Sequence, residues 1–428
     1  MSRKQLSGLP SERQQPKILA RYATSERVER AEAAGRQRNV QEGFGESGRK
    51  RICCMCRMPG PFSFIQARTF LDAYHTIMPI SQAYDFFIQW HLTERCNLRC
   101  SHCYQTGAAS AELSYHEILS VIDEIDETVH AWSESYSLDF SPSFNVTGGE
   151  PFLRSDLYEI LTAIAGKGYS TYLLTNGTMI DREKARRLSD LGIKGVQISI
   201  EGPETIHDAI RGKGSFSRSR EGVGHLLDEG HTVTLNATLS ELNANSVMDI
   251  IPFAVDMGVQ RLGFSRLVPS GRGRQLIDKA LSRDAVQSLY QEIFSRRLDG
   301  LEIVTGDPIA AQMSLSPNIS PPLQDIPSGG CAAGISGLTL LSDGTITPCR
   351  RMPVPIGNVR TDSLREVWAT SDVLEMLRDR SRYGNKCGSC SRWSTCRGCR
   401  AIAYAWSRAE GCGDILADDP QCFIEECT

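Results

Sequence analysis

Charge of one sign, long apolar runs and mid-chain cysteine are all scarce in this 428-residue sequence. Lys+Arg 47 against Asp+Glu 51 leaves a formal net charge of -4, so no basic field exists to gather nucleic acid as a principal partner. No window approaches the roughly 18 to 20 uninterrupted apolar residues that span a bilayer. The start, "MSRKQLSGLPSERQQPK", lacks the apolar centre of a secretory signal. We therefore expect no membrane partner and a cytoplasmic location. Cysteine is absent between Cys103 and Cys331, yet the chain has 15 of them. In a reducing compartment, dense cysteine points to metal binding or catalysis before disulfides.

The length exceeds what one hydrophobic core usually serves. Residues 1–80 read as a polar, partly helical or disordered extension. Within it, Cys53, Cys54 and Cys56 precede a candidate amphipathic helix near 63–76 and have no evident fourth ligand. From about residue 81 to 312, short β-rich runs alternate with helical stretches: "FFIQWHL", "SFNVT", "STYLLT", "GVQISI", "TVTLNATL" and "RLGFSRLV". Six β/α units argue for a parallel sheet, whose ligands bind where strands run into loops. At such ends stand "ERCNLRCSHCYQ" (94–105), "TGGEP" (147–151), "TNGT" (175–178) and "SIEGPE" (199–204). Beyond the connector "LSPNISPPLQDIPSGGC", residues 313–428 read as a second, cysteine-rich domain.

Cys96, Cys100 and Cys103 form C-x3-C-x2-C directly after the first predicted strand. A structural zinc wants four protein ligands, and His102 is an awkward fourth. A cubic iron–sulfur cluster is normally held by four thiolates, so three leave one iron open.

This motif, placed at the head of a six-unit β/α series, resembles the radical S-adenosylmethionine (SAM) enzymes over about residues 85–310. The resemblance implies a partial (β/α)6 TIM-like barrel. It also implies a 4Fe-4S cluster on Cys96, Cys100 and Cys103 whose open iron chelates SAM, and reductive cleavage of SAM to a 5′-deoxyadenosyl radical that abstracts a substrate hydrogen. It places His102 near the adenine. "GGEP" resembles the segment that meets the methionine ammonium, with Gly148 and Gly149 allowing close approach and Glu150 accepting from the ammonium. Asn176 and Ser199 resemble strand-end contacts to ribose or carboxylate, or are loop caps. Arg211 resembles a partner of the SAM carboxylate, or is a solvated loop arginine. "RLVPSGRG" closes the sixth unit with no assigned chemistry.

Cys331 opens C-x12-G-x4-C, ending at Cys349, and "CGSCSRWSTCRGC" then supplies Cys387, Cys390, Cys396 and Cys399, with Cys422 in "DDPQC". Alone, the C-x2-C-x5-C-x2-C run also reads as a zinc knuckle. Together these cysteines resemble the SPASM extension, which implies one or two auxiliary 4Fe-4S clusters. By that resemblance one would take Cys331, Cys349 and Cys399, and the other Cys387, Cys390, Cys396 and Cys422. Cys412 and Cys427 are left over. The last spacing, "CRGC", is shorter than the usual SPASM form and is shared with tetrapyrrole-pathway relatives.

The resemblance implies an oxidoreductase served by a reductant such as flavodoxin or ferredoxin, with a peptide or protein as the leading substrate expectation. A tetrapyrrole of a haem-type pathway is the alternative, and a non-catalytic iron–sulfur or zinc scaffold is the reading from another class.

Overall fold

The computed structural model describes residues 84–107, 111–296, 298–313 and 325–424. Cys53, Cys54, Cys56, the candidate helix near 63–76 and Cys427 lie outside the described residues.

All six expected strands are present: β1 Tyr84–His91, β2 Phe140–Thr147, β3 Ser170–Thr175, β4 Gly195–Ser199, β5 Val233–Leu239 and β6 Arg261–Arg266. A seventh, β7 Glu302–Val304, has only three residues, too few for an alternation to register in sequence. The strands pair in parallel and in chain order from β1 to β7. Between them run α1 Tyr115–Tyr136, α2 Leu157–Gly166, α3 Arg182–Asp190, α4 Glu204–Arg211, α5 Ser215–Asp228, α6 Ile250–Met257 and α7 Arg283–Ser295. This is the expected series of β/α units.

Local chemistry sets the elements. Helix α1 starts at a capping box in which Ser114 accepts from the Glu117 amide (3.3 Å) and the Glu117 carboxylate accepts from the Ser114 amide (2.7 Å). Ile118, Val121, Ile122, Ile125 and Val129, at three- and four-residue steps, bury its inner face. On β5, Val233, Leu235, Ala237 and Leu239 are buried in the core, whereas the alternate Asn236 and Thr238 turn to a cleft. Gln197 and Ser199 of β4 do the same. A period of two thus gives the sheet an apolar face and a polar, ligand-ready face.

The cysteine-rich part extends the same sheet. Strand β8, Gly337–Leu340, pairs in parallel with β1, and β9 Thr345–Thr347 and β10 Gly357–Asn358 follow antiparallel. A side chain at Gly337 would strike the Phe87 backbone, so the junction requires glycine. This part also has its own apolar cluster, which includes Met352, Leu374, Leu377, Tyr383, Trp393 and Ile402.

One buried cation ties the two parts together. Arg266, at the end of β6, contacts both carboxylate oxygens of Asp307 and both of Asp419 (2.9 and 2.8 Å for the latter). It also donates to Gln421 at 3.0 Å. Tyr290 of α7 donates to Asp307 (2.8 Å), and Asp419 accepts from the Cys399 amide (2.8 Å). Burial alone would push the Asp419 carboxyl up, but Arg266 beside it holds it below the usual range.

Removing the cation strands two buried carboxylates. Arg266→Met should therefore cost about 3–5 kcal/mol, read as a lowered urea midpoint for loss of far-UV circular dichroism. An unchanged midpoint would show that the network carries no structural weight.

Candidate active site

The loop after β1 is gripped from two sides by backbone. On one side the Gly149 and Glu150 amides donate to the Thr93 and Arg95 carbonyls (2.7 and 2.8 Å). A Cβ on Gly148 or Gly149 would collide with the backbone of residues 93–95. On the other side the Gly273 amide donates to the Cys103 carbonyl (2.8 Å) and the Arg272 amide to that of Gln105 (3.2 Å). Side chains at Gly271 and Gly273 would strike the backbones of Tyr104 and His102. The segment "PSGRG", which had no role from sequence, is thus the second jaw of this grip. The close approach that Gly148 and Gly149 allow is to the cysteine loop itself.

Cys96, Cys100 and Cys103 all line one cleft that is open to solvent. N–H donors point at their sulfurs: the Leu98 amide at Cys96 (3.4 Å) and Arg211 Nη1 at Cys100 (3.8 Å). Asn176 Nδ2 lies 4.0 Å from Cys96 Sγ. Burial pushes the Cys96 thiol up to about 11 and raises that of Cys100. Ionisation at neutral pH then requires a cationic metal centre, and the N–H groups are placed to stabilise the resulting thiolates. The donor set fits an iron–sulfur cluster.

Of the other expected residues, His102, Gly148, Gly149, Asn176, Ser199 and Arg211 line the same cleft, and Glu150 does not. The Glu150 side chain is fully buried and accepts from Thr175 Oγ1 (2.8 and 2.9 Å), the Asn176 amide (2.9 Å) and the Phe152 amide (3.3 Å). The carboxylate ties the glycine loop to the end of β3. Burial raises its pKa to about 7, against the pull of those donors.

Arg211 is engaged within the protein. Its Nε (2.8 Å) and Nη2 (2.5 Å) are both spent on Glu201 Oε1. His102 Nε2 lies 3.3 Å from the same oxygen, and the Thr238 amide donates to Oε2 (2.8 Å). Glu201 is fully buried; burial opposes its charge, but Arg211 and then His102 hold the carboxyl well below the usual range. This residue was missed, although it stands inside the flagged "SIEGPE" loop. Also missed were Gln197, Asn236, Thr238 and Ser265, legible as the polar alternates of β4 to β6, and Arg272, Arg350 and Arg351.

The C-terminal cysteines lie near one another, and the Cys331 amide donates to the Cys396 carbonyl (3.2 Å). Cys387 and Cys396 each sense the charge of Cys422. Cys399 senses Cys331, and Arg351 senses both Cys399 and Cys349. The Arg392 and Gly398 amides point at the sulfurs of Cys390 and Cys396 (3.4 Å each), as Leu98 does at Cys96, and Arg400 Nη2 lies 3.7 Å from Cys387 Sγ. Arg397, at φ 60°, donates to the carbonyls of Cys331 (2.9 Å), Gly329, Trp393 (3.2 Å) and Ser394 (2.8 Å). It thereby pins the Cys331 segment to the Cys396 turn. Cys412 is exposed. Among the described residues, no three His, Cys, Asp or Glu side chains form a single-ion site.

Comparison with known proteins accords with this arrangement. The model of the radical SAM superfamily matches residues 90–254, and that of an iron–sulfur cluster-binding domain, SPASM, matches 331–400. The chain is 30% identical over 350 residues to an AdoMet-dependent heme synthase of Nitratidesulfovibrio vulgaris, covering 78% of this chain and 91% of that protein. It is 27% identical over 338 residues to a mycofactocin maturase of Mycolicibacterium smegmatis, covering 74% and 78%. The fold is similar to that of Streptococcus suis SuiB bound to S-adenosylmethionine, with TM-score 0.62 at 17% identity over 84% of this chain and 82% of that one. A cysteine loop at the head of a parallel β/α series, followed by a cysteine-rich extension of the same sheet, therefore belongs to a radical SAM enzyme of the SPASM subfamily.

Proposed function

We propose that this enzyme binds SAM in the cleft beside Cys96, Cys100 and Cys103 and acts on a carboxylate-bearing tetrapyrrole. A 4Fe-4S cluster held there would supply the single electron for reductive cleavage of SAM, and with it the means of taking a hydrogen atom from the substrate. The three cysteines hold that cluster. The Gly148–Glu150 loop and the Gly271–Gly273 segment fix the loop's backbone, so that the sulfurs face the cleft without reorganisation. Asn176 and Ser199, with Gln197, Asn236 and Thr238, line the cleft with neutral donors and acceptors that would hold SAM. His102, held on Glu201, would serve the adenine. Arg211, neutralised by Glu201, keeps one N–H for Cys100. We assign Cys331, Cys349 and Cys399 to one auxiliary cluster and Cys387, Cys390, Cys396 and Cys422 to the other, with residues 81–312 and 313–428 as the catalytic and auxiliary domains. A soluble one-electron donor of the flavodoxin or ferredoxin type would serve them.

The observation that carries the tetrapyrrole reading is the lining of the cleft: five arginines and not one aspartate or glutamate. Polycarboxylates suit such a site. The similarity to AdoMet-dependent heme synthases supports it, as does the short "CRGC" spacing. Peptide maturation, the leading expectation from sequence, remains the second reading because the mycofactocin maturases are similar over 338 residues.

Reconstituted protein should carry about 12 iron per chain with two auxiliary clusters, or about 8 with one. It should yield 5′-deoxyadenosine from SAM and dithionite. Replacing Cys96, Cys100 and Cys103 together by alanine should abolish that product and remove about 4 iron, leaving the auxiliary iron in place. Loss of all iron would mean that the two cysteine fields do not load independently. Consumption of a porphyrin polycarboxylate, or of a candidate peptide, under the same conditions separates the two substrate readings.

Glu150 offers a test of positioning. Glu150→Ala leaves the Thr175 hydroxyl and the Asn176 amide without an acceptor and should cost about 1–3 kcal/mol of stability. The carboxyl titrates near 7 when folded and near 4.5 when unfolded, so its contribution is fully present below about pH 4.5 and lost as pH rises through about 7. Relative to Glu150→Gln, which cannot titrate, the wild type should lose roughly 3 kcal/mol across that window. Parallel pH–stability curves for the two proteins would refute the buried-carboxylate account.

A further inference from the structure

The five arginines of the cleft are not equivalent. Arg211 is neutralised by Glu201, and Arg266 by Asp307 and Asp419. Among the described residues, no hydrogen bond is made by the guanidinium groups of Arg272, Arg350 and Arg351, and Nε of Arg272 and of Arg351 is buried with its hydrogen unsatisfied. The Arg350 guanidinium stands 5.6 Å from the centre of the Tyr104 ring, and Arg351 lies within electrostatic reach of Cys399, Cys349 and Asp307. Guanidinium does not deprotonate in proteins, and a buried donor left unpaired costs about 1–3 kcal/mol. Two such groups and a third guanidinium in one cleft, with no Asp or Glu lining it, describe a site suited to anions beyond the cysteine sulfurs.

Their origins are different. Arg272 is set between Gly271 and Gly273, whose packing on the cysteine loop fixes its backbone. Arg350 and Arg351 follow β9 directly after Cys349, so the C-terminal half delivers them to a cleft otherwise made by the β/α units. The count also exceeds what the cosubstrate needs, because SAM carries a single carboxylate. Resting on the function proposed above, the geometry points to Arg272, Arg350 and Arg351 as a clamp for the carboxylate side chains of the substrate. A planar fork suits each carboxylate in a way that a point charge does not.

The test uses reconstituted full-length protein and two probes, iron coproporphyrin III and a short glutamate-rich peptide, each alongside its methyl ester. Arg350→Gln should weaken the carboxylate form of whichever probe the wild type binds by roughly ten- to hundred-fold and leave the ester's affinity unchanged. Arg272→Gln and Arg351→Gln should do likewise. Arg350→Lys should fall between wild type and Gln, since it keeps the charge and loses the fork. Iron content and SAM affinity of each variant report whether the site is intact. If the wild type binds only the peptide and the variants lose it, the clamp stands and the tetrapyrrole reading fails. Equal loss for acid and ester, unchanged affinity in every variant, loss of SAM affinity in place of probe affinity, or failure of the wild type to bind either acid would overturn the clamp.

Discussion

The arrangement depends on one fully buried guanidinium. Arg266 is the last residue of β6, and its hydrogen bonds reach residues 307, 419 and 421. Such a group is tolerable only because its charge is matched and its donors are satisfied; with one partner missing, the desolvation cost would exceed the attraction that remains. Asp419 spends a further lone pair on the Cys399 amide. The position of a cysteine in the C-terminal part is thereby referred to a strand of the β/α series. Strand β8, hydrogen-bonded to β1, makes the same connection at the opposite side of the series.

A second constraint acts at the cysteine loop, where the chemistry requires three sulfurs to face one volume. Loops pay conformational entropy for such order. Here the cost is offset by backbone-to-backbone contacts that only glycine permits, from Gly148 and Gly149 on one side and Gly271 and Gly273 on the other. The carboxylates near the site act in the same sense. Glu150 and Glu201 are turned inward, each satisfied by protein donors, so neither adds negative charge to the cleft surface.

Much of this was legible in the sequence, for definable reasons. Strand–helix alternation announces itself through periods of two and 3.6, and six strands fell where the runs "FFIQWHL" to "RLGFSRLV" placed them. The loops that follow them supply most of the cleft, because topology fixes which ends of parallel strands share a rim. Orientation within a loop was not legible. Nothing local distinguishes a glutamate facing a ligand from one, like Glu150, capped by the next strand. Glu201 lay in a recognised loop, but its pairing with Arg211 depends on how α4 returns to the rim. Arg350 was least accessible of all, since its neighbour Tyr104 is far away in sequence. The three residues of β7 carry too little pattern to register.

These constraints together give the cleft an unusual electrostatic character. Its acidic neighbours are already spent on Arg211 and Arg266, while Arg272, Arg350 and Arg351 form no salt bridge among the described residues. In a recess partly screened from water, the potential of such charges falls off more slowly than at an exposed surface, and it draws anions toward the mouth. The protein as a whole has a net charge of -4, so this attraction is local to the cleft. Because Arg350 and Arg351 belong to the cysteine-rich part, the anion-binding surface exists only while that part stays joined to the β/α sheet. The buried Arg266 contacts and the β1–β8 pairing thus connect an auxiliary domain to substrate recognition, as well as to the metal chemistry its cysteines suggest.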